Sequence, residues 1–148
     1  MKQRLPSNGE LTLENTVPQV DKFNQSKPNG AGIARILKAF NCSVKGFHAV
    51  FKHEAAFRQE LLLCLILLPF SFVVAASFAH WTALISSLLL LLLTETINSA
   101  IEALADQIST DFHELLGRAK DLGSSAVFIA CSIVTLVWFE ATYSYFAG

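Results

Sequence analysis

Two hydrophobic patterns follow one another along this chain. Over residues 31–57, apolar side chains recur at Ile33, Ile36, Leu37, Phe40, Val44, Phe47, Val50 and Phe51, the spacing of one face of a helix. Arg35, Lys38, Asn41, Lys45, His48 and Lys52 occupy much of the remaining surface. A basic amphipathic helix of this kind lies in a membrane interface, apolar face down and basic face toward anionic headgroups. From residue 60 onward the apolar positions stop alternating and run together. Residues 61–79 carry no charge, and at 1.5 Å per residue such a run crosses a hydrocarbon core of about 30 Å. A second run starts at Trp81, passes through Leu88, Leu91 and Leu93, and stays helix-like to Leu104; a third follows from Ser124 toward Phe146. The pattern predicts an all-α membrane protein: an N-terminal interfacial helix over about 31–57, then spans over about 60–79, 82–104 and 123–146. Only His80 and Trp81 are left to turn the chain between the first two spans. Pro69 lies inside the first, where packing neighbours tolerate a kink.

Composition and charge add an orientation. Hydrophobic residues make up 53% of the 148 positions and charged residues 16%, which excludes an ordinary soluble domain. Of the eleven Lys and Arg, nine precede the first span, from Lys2 to Arg58, and the other two are Arg118 and Lys120. The positive-inside rule places the N-terminus and the 105–123 loop in the cytoplasm, with the hairpin turn and the C-terminus opposite. Trp81, Trp138, Tyr143 and Tyr145 fall near span ends, where aromatic rings favour the interface. Residues 1–30 are polar and rich in Pro, Gly and Asn, and read as a disordered tail. No basic run points to nucleic acid. Cys42, Cys64 and Cys131 show neither metal nor disulfide spacing, and neither do the four histidines show metal spacing.

The chemistry concentrates in the second span. Glu95, Asn98, Glu102 and Asp106 are three, four and four residues apart and share one helix face. Ionisable groups at membrane depth are costly and mark function. Counted from Trp81, Glu95 lies ~21 Å along the helix, Glu102 another ~10 Å toward the cytoplasm, and Asp106 just outside. This divides the labour. Glu102 and the cytoplasmic Glu54 suit a hard cation such as Mg²⁺ completed by phosphate oxygens. Glu95, deeper and beside lipid, suits a general base toward a lipid hydroxyl, with Asn98 one turn away to orient it. Glu54 and Arg58 are spaced to pair on a helix. In the loop, Arg118 and Lys120 are cations available to phosphates, although topology alone also accounts for them. No P-loop or protein-kinase motif is present. A proton or cation pathway subunit, or a scaffold whose polar stripe only holds helices together, would also use such a stripe.

Three motifs carry a resemblance. They are Glu54-Ala-Ala-Phe-Arg-Gln-Glu60, Glu95-x-x-Asn98-Ser-Ala-Ile-Glu102-Ala-x-x-Asp106, and His113-Glu114-x-x-Gly117-Arg-Ala-Lys-Asp121-x-Gly-Ser124. In this order they resemble the prokaryotic integral-membrane diacylglycerol kinase family, over residues 31–148. The resemblance implies a homotrimer in the bacterial cytoplasmic (inner) membrane, with composite sites that transfer the γ-phosphate of ATP-Mg to diacylglycerol. It implies Glu95 as general base with Asn98 beside it, and Glu54 and Glu102 as the Mg²⁺ carboxylates. Arg35, Asp106, Asp111, His113, Lys120 and Asp121 would surround the nucleotide. Ser43, Arg58, Gln59, Glu60, Ser124 and Trp138 would border the lipid. Undecaprenol kinase, with the same motifs and a longer lipid, is the related alternative.

Overall fold

A computed structural model describes residues 32–109, 111 and 113–148; the tail expected over 1–30 lies outside them. The described residues divide into two units, with the boundary between Phe40 and Asn41. Among the described residues four helices follow one another: α1 (Ile33–His53), α2 (Ala55–Val74), α3 (Phe78–Ile108) and α4 (Glu114–Ala147). No strand occurs among the described residues. α1 keeps the amphipathic pattern of its sequence, and Ile36, Phe40, Phe47 and Phe51 are all exposed. α2, α3 and α4 are each long and apolar enough to cross a membrane. This is an all-α membrane protein with one N-terminal helix and three spans.

The chain breaks between helices where backbone groups find partners. α1 stops at His53 and α2 begins at Ala55, with Glu54 between them in extended backbone (φ −103°, ψ 118°). The first hairpin turns at Ala75, Ala76 and Ser77, ahead of His80 and Trp81, which belong to α3. Ser77 caps α3: its hydroxyl accepts the His80 N–H at 3.1 Å, satisfying one of the donors that a helix start leaves open. His80 Nδ1 accepts the Ala76 N–H at 3.2 Å. Its Nε2 lies 3.2 Å from Glu140 Oε2 on α4, close enough for an ion pair but off hydrogen-bond geometry. Trp81 Nε1 donates to Ser71 Oγ at 3.0 Å, and Ser71 donates in turn to the Leu68 carbonyl beside Pro69. The tryptophan thus staples the start of α3 to the last turns of α2.

Packing is tightest between α3 and α4, next between α2 and α3, and slight between α2 and α4. The seam on α3 reads Leu84, Leu88, Leu91, Glu95, Asn98, Glu102 and Ala105, alternating steps of four and three. Leu84 and Leu91 are almost completely buried. α4 answers with Gly123, Val127, Ala130, Val134, Trp138 and Ala141; Ala130 and Ala141 are as deeply buried. Small residues at this spacing let two backbones approach closely where lipid offers no hydrophobic drive to association. The carboxylate stripe is therefore the packing seam itself, which turns from leucine to polar after Leu91.

Candidate active site

Burial falls steadily along the polar half of that seam. Glu95 is 3% exposed and Asn98 8%; Glu102 is half-buried and Asp106 is exposed. At 31 residues, α3 is about 46 Å long against a hydrocarbon core of about 30 Å, so it is longer than the lipid tails require. Glu95 and Asp106 thus belong to different surroundings although one helix carries both.

Glu95, Asn98 and Glu102 line one cavity of about 330 Å³ with Glu54 and Glu60 of the α1–α2 segment and with Ser124, Val127, Phe128 and Cys131 of α4. Four carboxylates face a common space. Asn98 Nδ2 donates to Glu102 Oε1 at 3.0 Å, while its Oδ1 and one oxygen of Glu60 are buried without a partner. Gly123 lies against Asn98: a Cβ there would overlap Asn98 Oδ1 and touch Ile101 at ordinary contact distance. Only glycine lets α4 come this close to the asparagine.

A second cavity, of about 160 Å³, opens where α3 meets α4. Asp106, Ser109, Asp111, His113, Gly117 and Lys120 line it, and Lys120 Nζ bridges to Asp106 Oδ1 at 3.0 Å. This pair is solvent-exposed and adds little to stability, but it joins the ends of the two helices. Among the described residues, no group of three or more His, Cys, Asp or Glu is placed to hold a metal by itself. Two carboxylates leave most of a Mg²⁺ shell to water and phosphate oxygens. That is the usual arrangement for an ion that arrives with a nucleotide, and Glu54 and Glu102 are two carboxylates lining one cavity.

Residues 41–141 match the sequence profile of the family described as Prokaryotic diacylglycerol kinase. The chain is 43% identical over 107 residues to a protein named diacylglycerol kinase from Haemophilus influenzae, covering 72% of this chain and 91% of that one. It is 44% identical over 107 residues to the protein of that name from Pseudomonas aeruginosa, covering 72% and 87%. The Escherichia coli K12 protein of that name is 42% identical over 118 residues, covering 80% and 97%. The chain belongs to the prokaryotic diacylglycerol kinase family.

In this diacylglycerol kinase family member, the residues expected from sequence fall into separate groups. Glu54, Glu60, Glu95, Asn98, Glu102 and Ser124 share the larger cavity, and Asp106, Asp111, His113 and Lys120 share the smaller. Asp121 lies one turn before Ser125, whose hydroxyl donates to its carbonyl. Gln59 is an exposed residue of α2 and Ser43 an exposed residue of α1. Arg35 lies in the N-terminal unit, on the first turn of α1. Trp138 lines a different, apolar cavity of about 170 Å³ with Phe70, Val74, Thr142 and Tyr145, and its indole N–H is buried without an acceptor. Arg58 does not pair with Glu54 as its spacing suggests; it donates to the carbonyls of Phe51 and Lys52. Sequence reasoning passed over Phe128 and Cys131, which have no polar pattern to mark them. It also gave no role to Gly123, although that glycine stands inside the third motif.

Proposed function

We propose that this protein is a lipid kinase that transfers the γ-phosphate of ATP to the hydroxyl of diacylglycerol, giving phosphatidate. The observation that carries this reading is the carboxylate-lined cavity shared by buried Glu95 and half-buried Glu102, in a chain of this family. A membrane-bound acceptor and a water-soluble donor have to meet on a path between the two phases, and the α3 seam supplies one.

Glu95 takes the proton of the lipid hydroxyl as that oxygen bonds to the γ-phosphorus. The bond from the γ-phosphorus to the β,γ-bridging oxygen breaks, and ADP leaves with its electron pair. Phosphoryl transfer asks a protein mainly for position and charge. Asn98, bonded to Glu102 and wedged against α4, fixes the base relative to the nucleotide side. Glu54 and Glu102 would hold Mg²⁺, which supplies neutralisation of phosphate charge when bound. Asp106, Asp111, His113, Lys120 and Asp121 hold the nucleotide. Ser43, Gln59, Glu60, Ser124 and Trp138 border the lipid. Charge asymmetry supports a cytoplasmic N-terminus, an opposite C-terminus and location in the bacterial cytoplasmic membrane. A homotrimer is part of the same proposal. One protomer buries Glu95 by itself but leaves Glu102 half-buried, and neighbouring copies would cover the rest of that face.

The test supplies purified protein in mixed micelles with labelled ATP, Mg²⁺ and either diacylglycerol or undecaprenol. Labelled phosphatidate is the expected product. Labelled undecaprenyl phosphate alone would replace the substrate, and no labelled lipid from either acceptor would overturn the kinase reading.

A further inference from the structure

The joint between α1 and α2 is held in an unusual way. A helix end leaves its last carbonyls without intrahelical donors. At the end of α1, the Phe51 and Lys52 carbonyls accept from Arg58 Nη1, at 2.9 and 3.3 Å. Arg58 stands on the first turn of α2, so its side chain reaches back across Glu54 to close the joint. A guanidinium at a helix C-terminus also sits at the favourable end of the helix dipole. On either side of the joint the backbone is anchored by apolar packing, at Val50 (7% exposed) and Phe57 (4%). Between these anchors, Glu54 N–H donates to the Val50 carbonyl at 2.8 Å. Glu54 makes no side-chain cap of its own on α2. Its side chain instead lines the cavity of Glu95 and Glu102 and, on its other side, a cavity of about 310 Å³ with Gly46, His53 and Ser99. A residue shared by two cavities at a non-helical joint takes its direction from whatever fixes the joint.

We propose that Arg58 is a positioning residue for Glu54: by capping α1 it holds the joint so that the Glu54 carboxylate faces Glu95 and Glu102, and it acts on Mg-ATP binding rather than on the lipid. This rests on the reading of Glu54 as a Mg²⁺ carboxylate, and it departs from the lipid-bordering role that resemblance gives Arg58. A glutamine at 58 is shorter and carries no charge. A lysine keeps the charge and has N–H donors for the carbonyls, but lacks the planar, pre-organised guanidinium.

The test is equilibrium binding of the Mg²⁺ complex of a non-hydrolysable ATP analogue to the micellar full-length protein, without lipid, alongside KM for Mg-ATP and for diacylglycerol. Arg58→Gln is expected to weaken analogue binding and raise KM for Mg-ATP by about tenfold, the low end for charge-assisted hydrogen bonds, with KM for diacylglycerol within about twofold of wild type. Arg58→Lys should fall between, and it carries the same comparison if the glutamine variant does not fold. In a Glu54→Gln background, Arg58→Gln should add little, because both changes act through one group. A rise in KM for diacylglycerol with unchanged analogue binding would overturn the inference, as would full additivity of the two substitutions. Glu54→Gln alone separates the two failures. If it leaves Mg²⁺ dependence unchanged, the metal reading of Glu54 falls and takes the inference with it. If it alters that dependence while Arg58→Gln does not, only the inference falls.

Discussion

The contact between Gly123 and Asn98 predicts a specific coupling. Substituting Gly123→Ala places a methyl group onto Asn98 Oδ1, and within 3.5 Å of Asn98 Cγ and Ile101 Cδ1. Asn98 is 8% exposed, and the space open to its side chain is the cavity it shares with Glu102 and the one beside Gly123. Either α4 moves away and loosens the seam at Ala130 and Val134, or the amide rotates and gives up its 3.0 Å bond to Glu102. Overpacking of this kind costs about 1–3 kcal/mol, and losing a hydrogen bond to a carboxylate costs about 1.5–3 kcal/mol. Alanine's better helix propensity returns about 1 kcal/mol, so the variant is less stable by about 1 kcal/mol and by no more than about 2 kcal/mol. In an Asn98→Ala background the obstruction is gone. There the same substitution should be neutral or stabilising by up to about 1 kcal/mol. The assay is a double-mutant cycle on reversible unfolding in detergent micelles, with a coupling of about 2 kcal/mol expected for residues in direct contact. Equal cost of Gly123→Ala in both backgrounds would refute the argument.

Other expectations follow from the same geometry. Glu102→Gln should raise the Mg²⁺ concentration needed for half-maximal rate without a matching loss of fold, checked by Mg²⁺ titration; an unchanged requirement removes Glu102 as a ligand. Lys120→Ala should raise KM for ATP several-fold while the melting temperature barely moves, since its bridge to Asp106 is exposed. Leu91→Ala, at a side chain only 1% exposed, should destabilise the α3–α4 seam by about 2–5 kcal/mol in the same unfolding assay.

Much of this was legible in the residues, for physical reasons. Lipid leaves no alternative to long apolar helices, so three spans could be read from hydropathy. Carboxylates inside such helices are too costly to be incidental, so Glu95, Asn98 and Glu102 stood out, and they do share one cavity. Hydropathy does not see hydrogen bonds, and the joints were less visible. The apolar run continues through Ala79, but the chain turns at Ala75, Ala76 and Ser77, where the Ser77 hydroxyl and His80 Nδ1 satisfy open N–H groups. The break between α1 and α2 falls at Glu54 instead of near residue 57, with Arg58 closing it. Asp106 matched the stripe by spacing, yet Ala105 takes the buried seam position, because it continues the alternation of four and three residues that begins at Leu84. Trp138 and Ser124 sit on the same helix but line different cavities, a separation along the helix axis that motif order does not convey.

The central claim is that Glu95 removes the proton from the lipid hydroxyl. Its most direct test is single-turnover transfer of label from Mg-ATP to diacylglycerol by wild-type protein and Glu95→Gln at matched nucleotide occupancy. The account predicts labelled phosphatidate from the wild type and a rate lower by about 10²–10⁴ in the variant, with nucleotide binding and the unfolding transition little changed. A variant rate close to wild type would contradict it.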